Sequence, residues 1–297
     1  MATEHSDEDF EPQDDTRVDP DLGTIVHIVG ARQGRPNLPS TGCPFCPGGL
    51  EAPEPYDVKA FVNRWPPYPD GRSEIVLYTP EHDLTFPELG PDGARRVVDL
   101  WTDRTAALGQ RDDVDYVLIF ENRGEEVGAT IPHPHGQIYA FEEIPAAPLH
   151  ELRHGPRGEC PLCPRPDPAL LVADAEGWRA WVPGASAYPY GLLLAPFVHR
   201  PDLPSLDGPQ RDGLAELLID VLARLDRLFD IPLPYMLWIH QRPTDGGPWP
   251  GAHLHVHIVS PMRSPGVQRY VAAGELGSGV FTNPVVPEDA AAALRGA

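Results

Sequence analysis

The feature that most constrains this chain is a pattern that occurs twice. Cys43-Pro-Phe-Cys46 and Cys160-Pro-Leu-Cys163 hold all four cysteines. Each pair is followed by a histidine at the same distance, 36 residues from Cys46 to His82 and 36 from Cys163 to His199. A second histidine comes later, His133 after 51 residues and His253 after 54, and each opens an alternating His-x-His run. Flanking segments agree: FVNRW (61–65) answers WVPGA (181–185), and IVLYTPEH (75–82) answers LLLAPFVH (192–199). YVLIFENR (116–123) answers YMLWIHQR (235–242). Self-similarity of this kind means that one structural plan is used twice.

Each half carries one clear helical stripe at an equivalent place. Leu214, Leu217, Leu218, Val221, Leu222, Leu225 and Leu228 recur at helical spacing within about 209–230, and Val97, Val98, Trp101, Thr105 and Leu108 within about 92–109. Such stripes face a core. Short apolar strands around one helix, twice over, predict an α+β fold of two related halves, each an antiparallel sheet with a helix packed on it. The proline-rich stretch 143–159 is the expected join, which gives halves of 22–145 and 146–297. Residues 1–21 hold nine acidic residues, one arginine and few apolar ones, the composition of a disordered tail.

The net charge of −21 speaks against general nucleic-acid binding. No apolar run approaches a membrane span and no signal-peptide order opens the chain, so a cytoplasmic location is the expectation. Lys59 is the only lysine, so phosphate recognition must rest on arginine, histidine and backbone amides.

Paired Cys-x-x-Cys units in a cytosolic chain favour metal over disulfides, with a redox dithiol as the alternative. The repeat supplies two sets with zinc stoichiometry: Cys43, Cys46, His82 and His133, then Cys160, Cys163, His199 and His253. Glu151, His240, His255 and His257 offer a further carboxylate-histidine set for iron or zinc. His255 and His257 share a strand face with His253, so the two second-half sets either compete or lie side by side.

In IPHPHGQIYA (131–140), strand alternation projects His133, His135 and Gln137 to one face. Pro134 cannot donate to a ladder, which predicts an edge strand or an interruption. With His133 committed to metal, His135 is a competent nucleophile towards phosphorus, provided a hydrogen bond orients its ring. Gln137 can donate to a non-bridging phosphate oxygen, and Gly136 leaves out a side chain beside the reacting centre.

FENRGEEVGATIPHPHGQIYA (120–140) resembles the active-site segment of the galactose-1-phosphate uridylyltransferase family, the transferase branch of the histidine-triad superfamily. The resemblance spans roughly residues 30–295. It implies a ping-pong exchange in which His135 takes a nucleoside monophosphate from a nucleotide sugar and passes it to a second sugar 1-phosphate. It further implies two metal ions, zinc on Cys43, Cys46, His82 and His133 and zinc or iron in a second site. Arg32, Arg35, Asn122 and Thr130 are implied at the phosphates, with the arginines acting across a homodimer. Arg269 and Glu275 fall where the family contacts the hexose, although Arg269 replaces the usual lysine and Gly274 an aromatic. Glu151, His240, His255 and His257 match the family's second metal site, whereas Cys160, Cys163, His199 and His253 resemble that of relatives using ADP-glucose. Two other activities stay open: a nucleotide-sugar phosphorylase, and a histidine-triad hydrolase with His255 as nucleophile in HLHVHIV (253–259).

Overall fold

The computed structural model describes residues 15–34, 42–154 and 160–297. In chain order the strands are β1 (Asp15–Val18), β2 (Ile25–Ile28), β3 (Lys59–Val62), β4 (Ser73–Leu77), β5 (Tyr116–Arg123) and β6 (His135–Phe141). The second half adds β7 (Leu171–Ala175), β8 (Trp178–Trp181), β9 (Leu192–Pro196), β10 (Tyr235–His240) and β11 (His255–Val259). The main helices are α1 (Gly90–Leu108), α2 (Ala146–His154) and α3 (Gly208–Leu228), with α4 (Ala273–Ser278) and α5 (Pro287–Gly296) after them.

Nine strands form one antiparallel sheet in the order β3-β4-β6-β5-β10-β11-β9-β8-β7. The two halves therefore share a sheet, joined where β5 pairs with β10 in the register Phe120–Trp238 and Ile119–Ile239. Those two pairs exchange under the sequence repeat, so an approximate two-fold axis passes between them. Around it β6 corresponds to β11 and β4 to β9.

One face of the sheet is covered by helices; the other carries loops and two small apolar clusters, Phe45 and Ala52 on Ile75 and Leu77, and Leu162 on Trp181 and Leu193. Val76, Val117, Ile119, Ile138 and Ala140 from the first half pack with Leu192, Leu194, Leu237, Val256 and Ile258 from the second against α1 and α3. Val97, Val98 and Trp101 of α1 and Leu214, Leu217, Val221 and Leu222 of α3 are fully buried in that layer, as the stripes predict. Both helices start within two residues of their expected positions. Asp207 caps α3 by accepting from Gln210 N at 2.9 Å.

Three expectations need correction. β6 is an interior strand, paired with β4 from Leu77–His135 and with β5 from Phe120–Gln137. Pro134 is tolerated because it lies just before the strand, where only its carbonyl is required, accepting from Tyr78 N at 3.2 Å. The expected tail to residue 21 is interrupted by β1, which pairs with β2 through a turn in which Asp19 accepts from Asp21 N and Leu22 N. Residues 1–14 lie outside the described residues. The proline-rich join contains α2, which the sequence reading passed over.

Candidate functional site

The face turned away from α1 and α3 carries the chemistry. Along β6, His135, Gln137 and Tyr139 alternate with buried Gly136, Ile138 and Ala140, so the polar residues point away from the helices. His135 Nδ1 lies 2.7 Å from the His133 carbonyl. A carbonyl can only accept, so Nδ1 carries the proton and Nε2 the lone pair. Phe45 holds the ring edge-on at 5.1 Å.

His135 and Gln137 line a polar cavity of about 150 Å³ together with Arg32, Asn122, Thr130, Phe120 and Tyr139. Arg32 arrives on a short 3-10 turn, Gly30–Gly34, and Asn122 from β5, so residues far apart in sequence meet here. Arg35 lies outside the described residues. His135, Asn122 and Thr130 also border a second cavity of about 400 Å³ that wraps the strand ends past His82 and Glu121.

The ligand atoms of Cys43, Cys46, His82 and His133 all lie within 4.8 Å of one another. Cys46 Sγ is 3.6 Å from His82 Nδ1 and 3.7 Å from His133 Nδ1. His133 Nε2 faces the Thr79 carbonyl at 2.8 Å and the Tyr56 hydroxyl at 3.0 Å. That places the proton on Nε2 and turns the Nδ1 lone pair towards the thiols, the outer-shell arrangement of a metal-binding imidazole. Burial lowers the His133 pKa and keeps the ring neutral. Burial and the neighbouring Cys43 thiol raise that of Cys46, a cost that a cation between them would reverse.

The second half repeats the arrangement. Cys160 Sγ lies 3.2 Å from His253 Nδ1, and Cys163 Sγ lies 3.5 Å from His199 Nδ1. Burial pushes His253 down to about 4. The other second-half set is separate: Glu151 of α2 reaches His240 at 2.7 Å, His255 at 3.3 Å and His257 at 3.7 Å. The two sets therefore lie side by side and share no ligand atom, linked where His255 Nδ1 donates to the His253 carbonyl at 2.7 Å. Burial opposes the Glu151 charge, but hydrogen bonds from His240 and His255 outweigh it and hold the carboxyl well below the usual range. Burial, with His255 and His240 close by, lowers His257 to about 2.

Arg269 and Glu275 are not part of the His135 cavities. Both are buried and pair with each other in an otherwise exposed C-terminal segment, where Arg269 lies over the Tyr188 ring at 4.8 Å. Glu275 also accepts from Thr282 N and Ala272 N, which occupies its carboxylate within the chain.

With this geometry in view, comparison with known proteins is decisive. The profile of the galactose-1-phosphate uridyl transferase N-terminal domain matches residues 64–145, and that of the C-terminal domain matches 168–296. The chain belongs to the galactose-1-phosphate uridylyltransferase family. A relative of that name from Thermotoga maritima is 36% identical, the match covering 94% of this chain and 97% of the relative. A solved uridylyltransferase structure superimposes with a TM-score of 0.85 at 28% identity, covering 95% of this chain and 97% of the other. An ADP-glucose phosphorylase from Arabidopsis thaliana, solved with ADP-glucose bound, shares the fold with a TM-score of 0.77 at 23% identity, over 96% and 99% of the two chains.

Some of the site was out of reach of sequence reasoning. Tyr56 and Thr79, which orient His133, carry no motif. Gly136 is small for a different reason than expected: a Cβ there would lie 2.2 Å from the Tyr78 hydroxyl, on the helix-covered face and on the opposite side of the strand from His135 and Gln137. The Tyr56 and Tyr78 signals exist only in three dimensions.

Proposed function

We propose that the protein transfers a uridylyl group between a nucleotide sugar and a hexose 1-phosphate through a covalent intermediate on His135. The observation that carries this is the orientation of His135. Its Nδ1–H is held by the His133 carbonyl, which puts the nucleophilic lone pair on Nε2, beside Arg32, Asn122, Thr130 and Gln137. Nε2 attacks the α-phosphorus, the N–P bond forms and the P–O bond to the departing sugar 1-phosphate breaks. Gln137 donates its amide to a non-bridging oxygen, and Arg32 balances phosphate charge. The phosphoryl oxygen of the second sugar 1-phosphate then attacks the same phosphorus, and the N–P bond breaks. Nothing in the cycle needs a net proton.

The residues also fit resident metal ions. Cys43, Cys46, His82 and His133 would hold zinc as a closed structural site, as would Cys160, Cys163, His199 and His253. Glu151, His240, His255 and His257 would hold iron or zinc. Bound metal would supply rigidity, fixing His133 and thus the carbonyl that orients His135. Arg269 and Glu275 would contact the hexose only from a second copy of the chain in a homodimer. The exposed Tyr270, Leu276 and Val280 around them favour such an interface, and sedimentation equilibrium tests it.

The second Cys-x-x-Cys set favours one alternative, an ADP-glucose phosphorylase in which inorganic phosphate replaces the second sugar phosphate. Hydrolysis at His255 is disfavoured, because Glu151 stands against that ring. Incubation with UDP-glucose or ADP-glucose, each with galactose 1-phosphate or phosphate, separates these by product. Labelled nucleotide sugar should leave an acid-labile, base-stable adduct that His135→Gly abolishes. Retention of the adduct in that variant would refute the assignment.

A further inference from the structure

Beneath the His135–Gln137 segment, on the covered face, lies a set of buried polar groups that this chemistry does not use. Glu121 of β5 is 6% exposed, and its Oε1 accepts from the hydroxyl of Tyr235, the first residue of β10, at 2.6 Å. Three neighbouring buried atoms, Glu121 Oε2, the Tyr78 hydroxyl and Trp101 Nε1, have no hydrogen-bond partner other than one another. Polar groups buried in this way are costly unless they pair. Their chemistries are complementary, since an indole N–H only donates, a phenol does both and a carboxylate oxygen only accepts. The Tyr78 hydroxyl lies beside both the Glu121 carboxyl and the Trp101 indole. One chain, Trp101 N–H to Tyr78 O–H to Glu121 and back from Tyr235, satisfies all of them. It runs from α1 through the first half and across the β5–β10 seam. Its middle member, Tyr78, fills the space where a Gly136 Cβ would stand.

We propose that Glu121, held between Tyr78 and Tyr235, is a positioning residue that locks Tyr78 under Gly136 and so sets the strand carrying His135 and Gln137. This rests on the reading of His135 as nucleophile. The ionised carboxylate completes the chain, whereas a protonated one adds a donor that has no acceptor. The groups facing it are Tyr78 after β4, Tyr235 from β10 and Arg123 on its own strand, itself paired with Asp226 of α3 at 2.8 Å. Burial outweighs the Tyr235 and Tyr78 hydrogen bonds and the Arg123 charge, and pushes Glu121 up to about 7. Positioning therefore weakens as pH falls through neutrality.

The test compares exchange between UDP-glucose and galactose 1-phosphate by the full chain and by Glu121→Gln, Tyr78→Phe and Tyr235→Phe across pH. The parent kcat should fall on the acid side with a limb near neutrality. Glu121→Gln should lose that limb and run roughly tenfold slower on its plateau, with KM changed less than about twofold. Tyr78→Phe should slow kcat in the same way. Infrared difference spectra supply a readout independent of turnover: a protonated-carboxyl band should grow as pH drops through neutrality in the parent and be missing in Glu121→Gln. An active parent whose Gln variant keeps its kcat, its acid limb or that band overturns the positioning role alone. A parent with neither exchange nor histidine adduct overturns the functional reading, and the positioning role with it. Should Glu121→Gln fail to fold, the two tyrosine variants decide: each removes a hydrogen bond that favours the carboxylate, so each should slow kcat and move the midpoint of the carboxyl band to higher pH, and unchanged kcat and midpoint overturn the role.

Discussion

Replacing Gly136 with alanine is the sharpest steric test of the site. The new Cβ would lie 2.2 Å from the Tyr78 hydroxyl, 3.1 Å from its Cζ and 3.2 Å from the Phe120 carbonyl. Restoring ordinary contact needs a shift of about 1 Å. Tyr78 cannot supply it, because its ring is wedged edge-on against Phe86 at 5.6 Å and Trp101 at 5.8 Å, all of them buried. The strain therefore falls on β6. Overpacking of this kind costs about 1–3 kcal/mol, a loss of roughly 2–10 °C in melting temperature for a chain of this size. A displacement of about 1 Å at His135 should lower kcat on the order of 100-fold. Tyr78→Phe removes the nearest atom, so the double variant should recover part of the lost stability, with a coupling of at least about 0.5 kcal/mol. Thermal melts and exchange kinetics of the two singles and the double provide the cycle. Gly136→Ala melting within about 1 °C of the parent, with additive singles, would refute the reasoning.

Further outcomes follow from the same geometry. His135→Gly should abolish exchange while His255→Gly keeps it, as product chromatography would show; the reverse result would move the nucleophile to the second half. Elemental analysis of the purified chain should find up to three metal ions, and Cys43→Ser should lose one and lower the melting temperature. Glu121 should make stability pH-dependent. Its folded pKa, about 7, lies above the ordinary 4.5, so the native state binds more protons than the unfolded one between those values. Stability contributed by this group is then highest below the lower value and falls as pH rises through the window, by about 3 kcal/mol in all. Glu121→Gln should flatten that part of the urea midpoint against pH, and an unchanged slope would count against the buried carboxyl.

Much of this was legible in the sequence because zinc-type ligands and helical stripes leave one-dimensional traces. The Cys-x-x-Cys spacing repeats, and Leu214 to Leu225 recur at helical intervals, so both were readable without a structure. What sequence could not supply was pairing between halves. Tyr116–Arg123 and Tyr235–His240 each read as strands, but nothing in either says that they lie side by side. Glu151 is identifiable from the ligand set, whereas the helix that delivers it was hidden by the prolines around it. Arg269 and Glu275 show a different limit: a matched position does not say which partners the side chain already holds within its own chain.

The unbroken sheet also limits how the chain can be divided. Neither half has a finished border at the junction; β5 and β10 are each the other's missing neighbour. Severed in the connection after α2, the pieces would retain matching adhesive rims and should recombine as a complementing pair. The approximate two-fold relation adds that either piece alone could satisfy its rim with another copy of itself. A once-symmetric assembly of identical units, later tethered and made unequal, is the ancestry this geometry permits.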